Sequence, residues 1–282
     1  MTRRGSPKRA AAGSEASPRT EARNPRARRL SSLSTRELLE LMNEEDRGAP
    51  LAVRAALPAI ERAVVIVVEA LRAGGRLRYV GSGTSGRLGV LDASEWPPTF
   101  GVDPDLARGI IAGGDHALRE SIEGAEDDAG AGGRDVRAWA RAGDVIVGIS
   151  ASGRAPYVVA ALRAARAIGA RTVAVTCEGR SPVVSEADVA IALDVGPEVI
   201  AGSSRLKAGT ATKLVLNMLS TAAMVRLGHT RDDLMADLRA VNTKLRERAV
   251  AIVSVEADIG EEDARARLER AGWDIRRAIS GG

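Results

Sequence analysis

The chain has 282 residues, of which 45% are hydrophobic, 28% are charged and only 2% are aromatic. This composition supports one sizeable apolar core, while the scarcity of aromatic rings argues against a stacking platform for single-stranded nucleic acid. The single cysteine, Cys177, excludes an intrachain disulfide, and two histidines, His116 and His229, are too few for zinc-ligand spacings and disfavour a Ser-His-Asp hydrolase.

The net charge of +4 is distributed unevenly along the chain. Residues 1–29 hold nine Arg or Lys against two Glu, so this head carries +7 and the remaining 253 residues carry −3. The head has no apolar run, which predicts a disordered basic extension rather than a signal peptide or a membrane span. No later stretch is long and apolar enough to cross a membrane. We therefore expect a cytoplasmic protein without a membrane partner, which contacts nucleic acid, if at all, only through residues 1–29.

Residues 30–68 are predicted to form an N-terminal helical segment. Ser34 followed three residues later by Glu37 is a capping box, and an apolar stripe follows it. A second helical pattern covers residues 51–73, where we expect Pro58 to kink or divide the helix and Gly74-Gly75 to end it.

Residues 69–230 alternate short apolar runs with longer amphipathic segments. The predicted strands cover residues 77–80, 109–112, 144–149, 171–176 and 187–193, and the predicted helices cover residues 116–131, 154–168 and 205–227. This alternation predicts an α/β fold with a doubly wound, mostly parallel sheet, which binds ligands at the carboxyl ends of its strands. Charged helical patterns at 231–253 and 261–279 make residues 231–282 a small helical C-terminal region.

Two loops of this region repeat one pattern at a constant offset of 67 residues. The first strand is followed by Gly81-Ser82-Gly83-Thr84-Ser85-Gly86-Arg87, and the third by Gly148-Ile149-Ser150-Ala151-Ser152-Gly153-Arg154. Glycines let the backbone approach a ligand, a helix start supplies unpaired amides and a positive dipole end, and hydroxyls add rotatable donors. The repeat predicts an anion site, most naturally for a phosphate monoester.

The first loop also spells the G-x-G-x-x-G of dinucleotide-binding folds. That interpretation requires an acid about 20 residues later, at the end of the second strand, where the nearest candidate, Asp115, lies too far along. It also does not explain the second copy of the loop. A third hydroxyl cluster at residues 202–210 follows the last strand. It either completes the phosphate pocket or is an ordinary helix cap with its basic residues facing solvent.

Two acidic segments lie between these loops. Glu95 precedes Pro97-Pro98, which predicts a rigid irregular turn rather than a helix. Residues 123–128 contain four acids in a predicted helix, and either they form a solvated face or one of them points inward. A glycine such as Gly124 inside a helix lowers the stability of that helix, and a close approach of the backbone to a ligand would explain its presence.

At these residues the sequence resembles the N-acetylmuramic acid 6-phosphate etherases, a branch of the SIS (sugar isomerase) phosphosugar-binding proteins. The similarity runs from about Leu33 to the last helices and includes residues 80–98, 111–114, 123–127, 149–157, 202–210 and 213–221. The motifs Asp-Ala-Ser-Glu-x-Pro-Pro-Thr and Glu-Gly-Ala-Glu-Asp separate this branch from the general SIS isomerases.

The resemblance implies an SIS-type sandwich over residues 69–230 and an activity without cofactor or metal. The implied reaction cleaves the lactyl ether of N-acetylmuramic acid 6-phosphate by elimination and then hydration. Glu95 matches the proton donor, and Glu126 matches a second acid that is the C2 base or its partner. The residues implied to bind the phosphosugar are Thr84, Ser85, Gly86, Ser150, Ser152, Gly153, Ser203 and Ser204. A homodimer whose active sites draw on both subunits is also implied.

Two positions depart from the pattern of this family. Ala155 stands where threonine is usual, which removes a hydroxyl donor, and Trp96 replaces a small residue beside the proposed acid, where it is expected to desolvate the carboxyl or narrow the pocket. A non-catalytic phosphosugar sensor and an aldose–ketose isomerase are the alternative functions on this fold. Retention of both Glu95 and Glu126 favours the etherase, because a sensor needs the loops but not the acids.

Overall fold

The computed structural model describes residues 18–281, and a five-stranded parallel sheet lies at its centre. Its strands are β1 Leu77–Gly81, β2 Ala107–Ile111, β3 Val145–Ile149, β4 Arg171–Thr176 and β5 Val189–Ala192. They are ordered β2-β1-β3-β4-β5, and every neighbouring pair is parallel. The predicted α/β fold with a doubly wound sheet is confirmed, and each predicted strand is present.

Helices cover both faces of the sheet. They are α1 Thr35–Asp46, α2 Gly48–Arg72, α3 Gly83–Phe100, α4 Ala129–Trp139, α5 Pro156–Ala167, α6 Pro182–Ser185, α7 Lys207–Leu227, α8 Thr243–Ala257, α9 Glu261–Arg270 and α10 Ile275–Ser280. One core lies between the sheet and α2, α3 and α7, and it includes the buried Cys177. The opposite core lies between the sheet and α4, α5 and α6. Alternate strand residues divide between the two cores, so that Val147 faces the first and Ile146 the second.

The N-terminal helices follow the sequence signals at both of their ends. The Ser34 hydroxyl accepts a hydrogen bond from the Glu37 amide, and the Glu37 carboxylate accepts one from the Ser34 amide at 2.8 Å, which confirms the capping box. Gly74 has φ +81°, and α2 ends before it. Pro58 does not divide α2. Burial of apolar residues on both sides of this proline outweighs the one hydrogen bond that a proline removes.

Residues 18–29 pack against the body of the protein, so the prediction of a disordered extension is wrong for them. Thr20 and Asn24 are buried at 3% and 6% exposure. Residues 18–32 contain short 3₁₀ turns. The rest of the predicted basic head, residues 1–17, lies outside the described residues.

Two predicted helices begin about a dozen residues later in the structure. Residues 115–127 form a loop with 3₁₀ turns at its two ends, and α4 begins only at Ala129. Gly113, Gly114 and Gly124 in and before this loop have positive φ, which an α-helix cannot accommodate. Residues 231–242 are irregular, and α8 starts at Thr243, where Asn242 caps it.

The last three helices have a small core of their own, centred on Val253 and Leu268. The division of the chain at residues 30, 69 and 231 stays a prediction. Within residues 18–281, no helix is long and apolar enough to cross a membrane.

Candidate functional site

The predicted phosphate loops meet at the carboxyl edge of the sheet. Gly81 at the end of β1 is paired with Ile149 at the end of β3, so the two repeated loops leave neighbouring strands side by side. A methyl group built on Gly209 in α7 would lie 3.6 Å from the Thr84 side chain, which brings the third loop to the first. The three loops therefore border one region, as the rule for parallel sheets predicts.

The first loop offers an open helix N-terminus. The Ser82 side chain makes no capping hydrogen bond to α3, and the first amides of a helix have no partner within it. Thr84 and Ser85 lie half-buried in this first turn. Gly86 serves packing, because a methyl group there would lie 2.6 Å from Ile111 and 2.7 Å from the Gly81 carbonyl oxygen. Its contribution to substrate binding stays a prediction.

The second loop is held by contacts at its base. Ser150 is buried, and its amide donates to the Val175 carbonyl at 3.0 Å. Gly153 has φ +65°, and a methyl group there would lie 2.1 Å from the Ser181 hydroxyl. The half-buried Ser152 accepts a hydrogen bond from the Arg154 amide. Since α5 begins only at Pro156, Ser152 and Gly153 lie before the helix, whereas Thr84 and Ser85 lie inside one.

The third loop is not an ordinary helix cap, and its part in the phosphate pocket stays a prediction. The first turn of α7 is occupied by the buried Glu198, whose carboxylate accepts hydrogen bonds from the amides of Lys207 and Ala208 at 3.2 and 2.9 Å. Burial raises the pKa of Glu198, and these two amides oppose the shift. Neither Ser203 nor Ser204 caps the helix, and both lie half-buried in the loop before it. A ligand at this loop therefore meets hydroxyls rather than the first amides of α7.

Lys207 is buried, whereas the helix-cap interpretation has this residue facing solvent. Its ammonium donates to the Glu45 carboxylate of α1 at 2.7 Å, and the Asn24 amide donates to the same oxygen at 2.8 Å. Hydrogen bonds from Lys207 and Asn24 lower the pKa of Glu45 against the opposing effect of burial. Asn24 also donates to the Pro197 carbonyl, and Gly202 donates its amide to Thr20 at 3.0 Å. The N-terminal segment thus holds the third loop in place.

Glu95 lies on a helix, and the predicted rigid turn is wrong. Helix α3 continues through Pro97 and Pro98 to Phe100. These prolines lie in its last turn, where the burial of Trp96 and Phe100 in the first core compensates for the two missing amide donors. Among the described residues, the exposed Glu95 has no hydrogen-bond or ion-pair partner.

Trp96 is buried in the first core and also borders the cavity that Glu95 borders, so its effect on this carboxyl stays a prediction. Its indole donates to the buried Asp92 at 3.1 Å, and Tyr79 and Ser220 donate to the same carboxylate at 2.7 and 3.0 Å. Burial raises the pKa of Asp92, against the opposing effect of the three donors. Ala155 is buried at the start of α5 and faces the second core.

Glu126 lies on the exposed loop beside the first phosphate loop. Its carboxylate accepts a long hydrogen bond of 3.4 Å from the Ser82 hydroxyl. Arg87 holds this loop by donating to the carbonyls of Leu118 and Glu120. Gly124 is not in an α-helix, and its φ of +71° favours glycine at this position. Most of the acids in residues 123–128 are solvated, while Glu126 lies beside Ser82 of the first phosphate loop.

The two predicted acids lie apart within one chain. Glu126 borders a cavity of about 210 Å³ with Ser82, whereas Glu95 borders one of about 310 Å³ between α3 and α7. Glu95 comes twelve residues after Gly83, which is about 18 Å along the helix. The structure brings Glu126 to the first loop and leaves Glu95 at the far end of α3.

Comparison with known proteins places these features in a family. The model for the N-terminal SIS domain of glucokinase regulatory protein matches residues 59–166, and the SIS domain model matches residues 128–222. A protein named N-acetylmuramic acid 6-phosphate etherase from Symbiobacterium thermophilum is 56% identical over 92% of this chain and 87% of its own length. Those from Pectobacterium atrosepticum and Geobacillus thermodenitrificans are 51% and 50% identical, again over 92% of this chain and over 86% and 88% of their own lengths.

The chain belongs to the N-acetylmuramic acid 6-phosphate etherase family.

More distant solved structures share the fold of this etherase family member. A phosphoheptose isomerase from Francisella tularensis has a TM-score of 0.53 at 19% identity, and it covers 68% of this chain and 100% of its own. The phosphoheptose isomerase GmhA from Neisseria gonorrhoeae has a TM-score of 0.50 at 20% identity, covering 67% and 97%. At these identities the likeness confirms the SIS-type fold alone.

Sequence reasoning missed three residues of this region in the etherase chain. Glu198 and Arg87 hold loops through contacts across the fold, and although Arg87 lies in the repeated loop motif, no local pattern predicts these contacts. Lys213 has no assigned role in the sequence-based prediction, although a lysine among the apolar residues of α7 is a visible signal. It borders the same cavity as Glu95.

Proposed function

We propose that this protein cleaves the lactyl ether of N-acetylmuramic acid 6-phosphate with water, giving N-acetylglucosamine 6-phosphate and D-lactate. The observation that carries this proposal is the name shared by relatives that are 50–56% identical over 92% of the chain. The presence of both Glu95 and Glu126 and of three hydroxyl-bearing loops at one sheet edge supports it. A sensor or an isomerase would not require an acid at the position of Glu95.

The first half of the reaction is an elimination in the open-chain sugar. The C1 aldehyde acidifies the C2 proton, which the Glu126 carboxylate removes as a double bond forms between C2 and C3. The bond between C3 and the ether oxygen breaks, and the Glu95 carboxyl donates its proton to that oxygen, so lactate leaves as an alcohol. Ether oxygen is a poor leaving group unless protonated, and a positioned acid or base contributes roughly 10²- to 10⁴-fold.

The second half adds water across the same double bond. The Glu95 carboxylate, now deprotonated, takes a proton from the water whose oxygen adds to C3. The proton held on Glu126 returns to C2, and both carboxyl groups regain their starting states. By this scheme each acid works in both directions, as microscopic reversibility requires.

The phosphate is proposed to bind where the repeated loops meet. The open N-terminus of α3 supplies amides and the positive end of a helix dipole, and the hydroxyls of Ser85, Ser150 and Ser152 supply further donors. Thr84, Ser203 and Ser204 would line the same pocket. Anchoring a remote phosphate holds the reacting carbons in register, which lowers the chemical barrier through binding energy.

We further propose that a homodimer in the cytoplasm is the active form. Glu95 and Glu126 border different cavities of one chain, so a site that uses both is supplied most directly by two chains. Exposed apolar residues on the α2 and α7 faces, namely Leu57, Val65 and Met218, suit an interface with a second copy.

Incubation with N-acetylmuramic acid 6-phosphate and an enzymatic assay for D-lactate tests the activity. No lactate from folded protein would remove the etherase proposal. In deuterated water, Glu95→Gln is expected to abolish release while sparing exchange at C2, and Glu126→Gln is expected to abolish exchange. Loss of exchange in Glu95→Gln alone, with release intact, would overturn the assignment of roles.

Mixing the two inactive variants tests the shared site. If each site takes one acid from each chain, a mixed dimer of Glu95→Gln and Glu126→Gln chains has one intact site, and random mixing restores about a quarter of the activity. If mixed dimers form without activity, the two acids come from one chain.

A further inference from the structure

A cavity of about 310 Å³ lies between α3 and α7, away from the phosphate loops. Glu95 borders it from α3, and Lys213, Asn217 and Thr221 border it from successive turns of α7. Its remaining walls are largely apolar and include Leu88, Leu91, Leu216 and Phe100. The hydrogen bond from Ser220 to Asp92 joins the two helices at this cavity. The cavity therefore combines two acids, Glu95 and the buried Asp92, with one cation, Lys213, and a largely apolar wall.

The ammonium of Lys213 is not committed to an acid of its own. Within residues 18–281 this exposed side chain has no ion pair within 4 Å and no hydrogen bond. The buried Asp92 lies within its electrostatic reach, but that carboxylate already accepts hydrogen bonds from Tyr79, Trp96 and Ser220. The cation is thus free to meet an anionic group of a ligand in the cavity.

We propose that Lys213 binds the carboxylate of the substrate's lactyl group, with the neighbouring apolar wall taking the lactyl methyl. The proposal rests on the function proposed above, because only a substrate with a carboxylate-bearing ether needs such a subsite. The group that Glu95 protonates is the ether oxygen, and in a lactyl ether one carbon separates that oxygen from the carboxylate. The substrate's carboxylate must therefore lie close to Glu95, and a cation that binds it must border the same cavity.

The substrate's other anionic group, the phosphate, has donors elsewhere. The loops at the sheet edge offer amides and hydroxyls, whereas Lys213 borders the Glu95 cavity and is absent from the lining of the cavity at Ser82 and Glu126. Placement of the carboxylate on Lys213 sets the ether oxygen toward Glu95. It also discriminates against phosphosugars without a lactyl group.

The competing role for Lys213 is structural, as a partial counter-charge for the buried Asp92. Such a role predicts an effect of substitution on stability and on every substrate equally. A binding role predicts an effect only on substrates that carry the carboxylate. The two roles can be distinguished by measuring the same variants with one substrate that carries the carboxylate and one that lacks it.

The experiment compares N-acetylmuramic acid 6-phosphate with its lactyl amide, in which a neutral carboxamide replaces the carboxylate. Lys213→Met is expected to lower kcat/KM for the acid by about 10- to 100-fold, mainly through KM, because a charge-assisted hydrogen bond is lost. For the amide, Lys213→Met should stay within about 2-fold of the unsubstituted protein. Lys213→Arg should restore most of the discrimination, and Lys244→Met, at an exposed position on α8, is the matched control and should change neither substrate.

Equal losses on acid and amide would overturn the proposal and assign Lys213 the structural role. Unchanged kinetics on both substrates would overturn it as well. Equilibrium binding of acid and amide to the Glu95→Gln protein keeps the two proposals separable. If the unsubstituted protein releases no lactate yet Lys213→Met weakens only acid binding, the etherase proposal fails and the carboxylate subsite stands.

Discussion

The Glu198 carboxylate accepts a hydrogen bond of 2.9 Å from the backbone amide of Ala208, in the first turn of α7. The Lys207 amide donates to the same carboxylate at 3.2 Å. An acid of the protein therefore fills a helix end that would otherwise attract a ligand's phosphate. At the same sheet edge, neither the Ser82 side chain before α3 nor Ala155 before α5 caps its helix. The proposed phosphate site therefore lies at helix starts that the protein's own side chains leave uncapped.

Removing the Glu198 carboxylate should loosen the start of α7. Glu198→Ala leaves two buried amide donors without an acceptor, and we expect it to lower the free energy of unfolding by about 2–4 kcal/mol. Glu198→Gln keeps an acceptor oxygen and should cost about 1 kcal/mol or less. Urea unfolding of the two variants checks this. Equal losses in both would show that charge, rather than acceptor capacity, holds the helix start.

The ion pair of Glu45 with Lys207 should make stability depend on pH in the acid range. Since hydrogen bonds lower the pKa of Glu45 below its unfolded value, its contribution is present above that value, near 4.5, and is lost as the pH falls through the folded pKa. Glu45→Gln leaves Lys207 buried without its counter-charge and should cost about 3 kcal/mol at pH 7. The difference in unfolding free energy between the two proteins should shrink below pH 4. A difference that stays constant down to pH 3 would contradict this contribution.

Two truncations should distinguish the role of residues 1–17 from that of the packed residues that follow them. Removal of residues 1–17 is expected to leave lactate release and stability unchanged. Removal of residues 1–27 deletes Thr20 and Asn24, which bond to Gly202, Glu45 and the Pro197 carbonyl. We expect the longer truncation to raise KM several-fold and to lower the melting temperature. Identical behaviour of both truncated proteins would show that the packed segment does not support the third loop.

Gly153→Ala should be much more harmful than the same change at another glycine of positive φ. At Gly153 the added methyl group would lie 2.1 Å from the Ser181 hydroxyl, whereas at Gly74 nothing lies within 4 Å. Gly74→Ala is expected to cost about 1 kcal/mol from backbone strain alone, and Gly153→Ala about 3 kcal/mol or more, with a raised KM. Thermal unfolding and substrate kinetics on both proteins measure the contrast. Similar costs at the two positions would refute the steric argument.

The sheet and its loop edge could be predicted from the sequence because both depend on local patterns. Apolar runs and the loop repeat mark β1, β3 and the loops that follow them, whereas the pairing of Gly81 with Ile149 is seen only in the structure. The path of the chain at Glu95 could not be predicted in this way. Proline chemistry predicts a turn there, and only the burial of Trp96 and Phe100 in the core keeps the helix intact.

The contacts that hold the third loop in place could not be predicted from local sequence patterns either. Lys207 pairs with Glu45 across 162 residues, and Asn24 joins them from the opposite end of the chain. The sequence allows a solvent-facing cation at Lys207 and predicts disorder at Asn24, but in the structure the two residues are buried together. Long-range pairing of this kind leaves no trace in spacing or periodicity.

The burial of Cys177 gives the protein a practical property. It is the one thiol of the chain, it is 6% exposed in the first core, and burial raises its pKa to about 12. At neutral pH this thiol is protonated and shielded, so maleimide or nitroxide reagents should react selectively with a cysteine introduced on the surface. A label at an exposed position such as Ile200 could then test the proposed homodimer by a spectroscopic distance measurement, with Cys177 left in place.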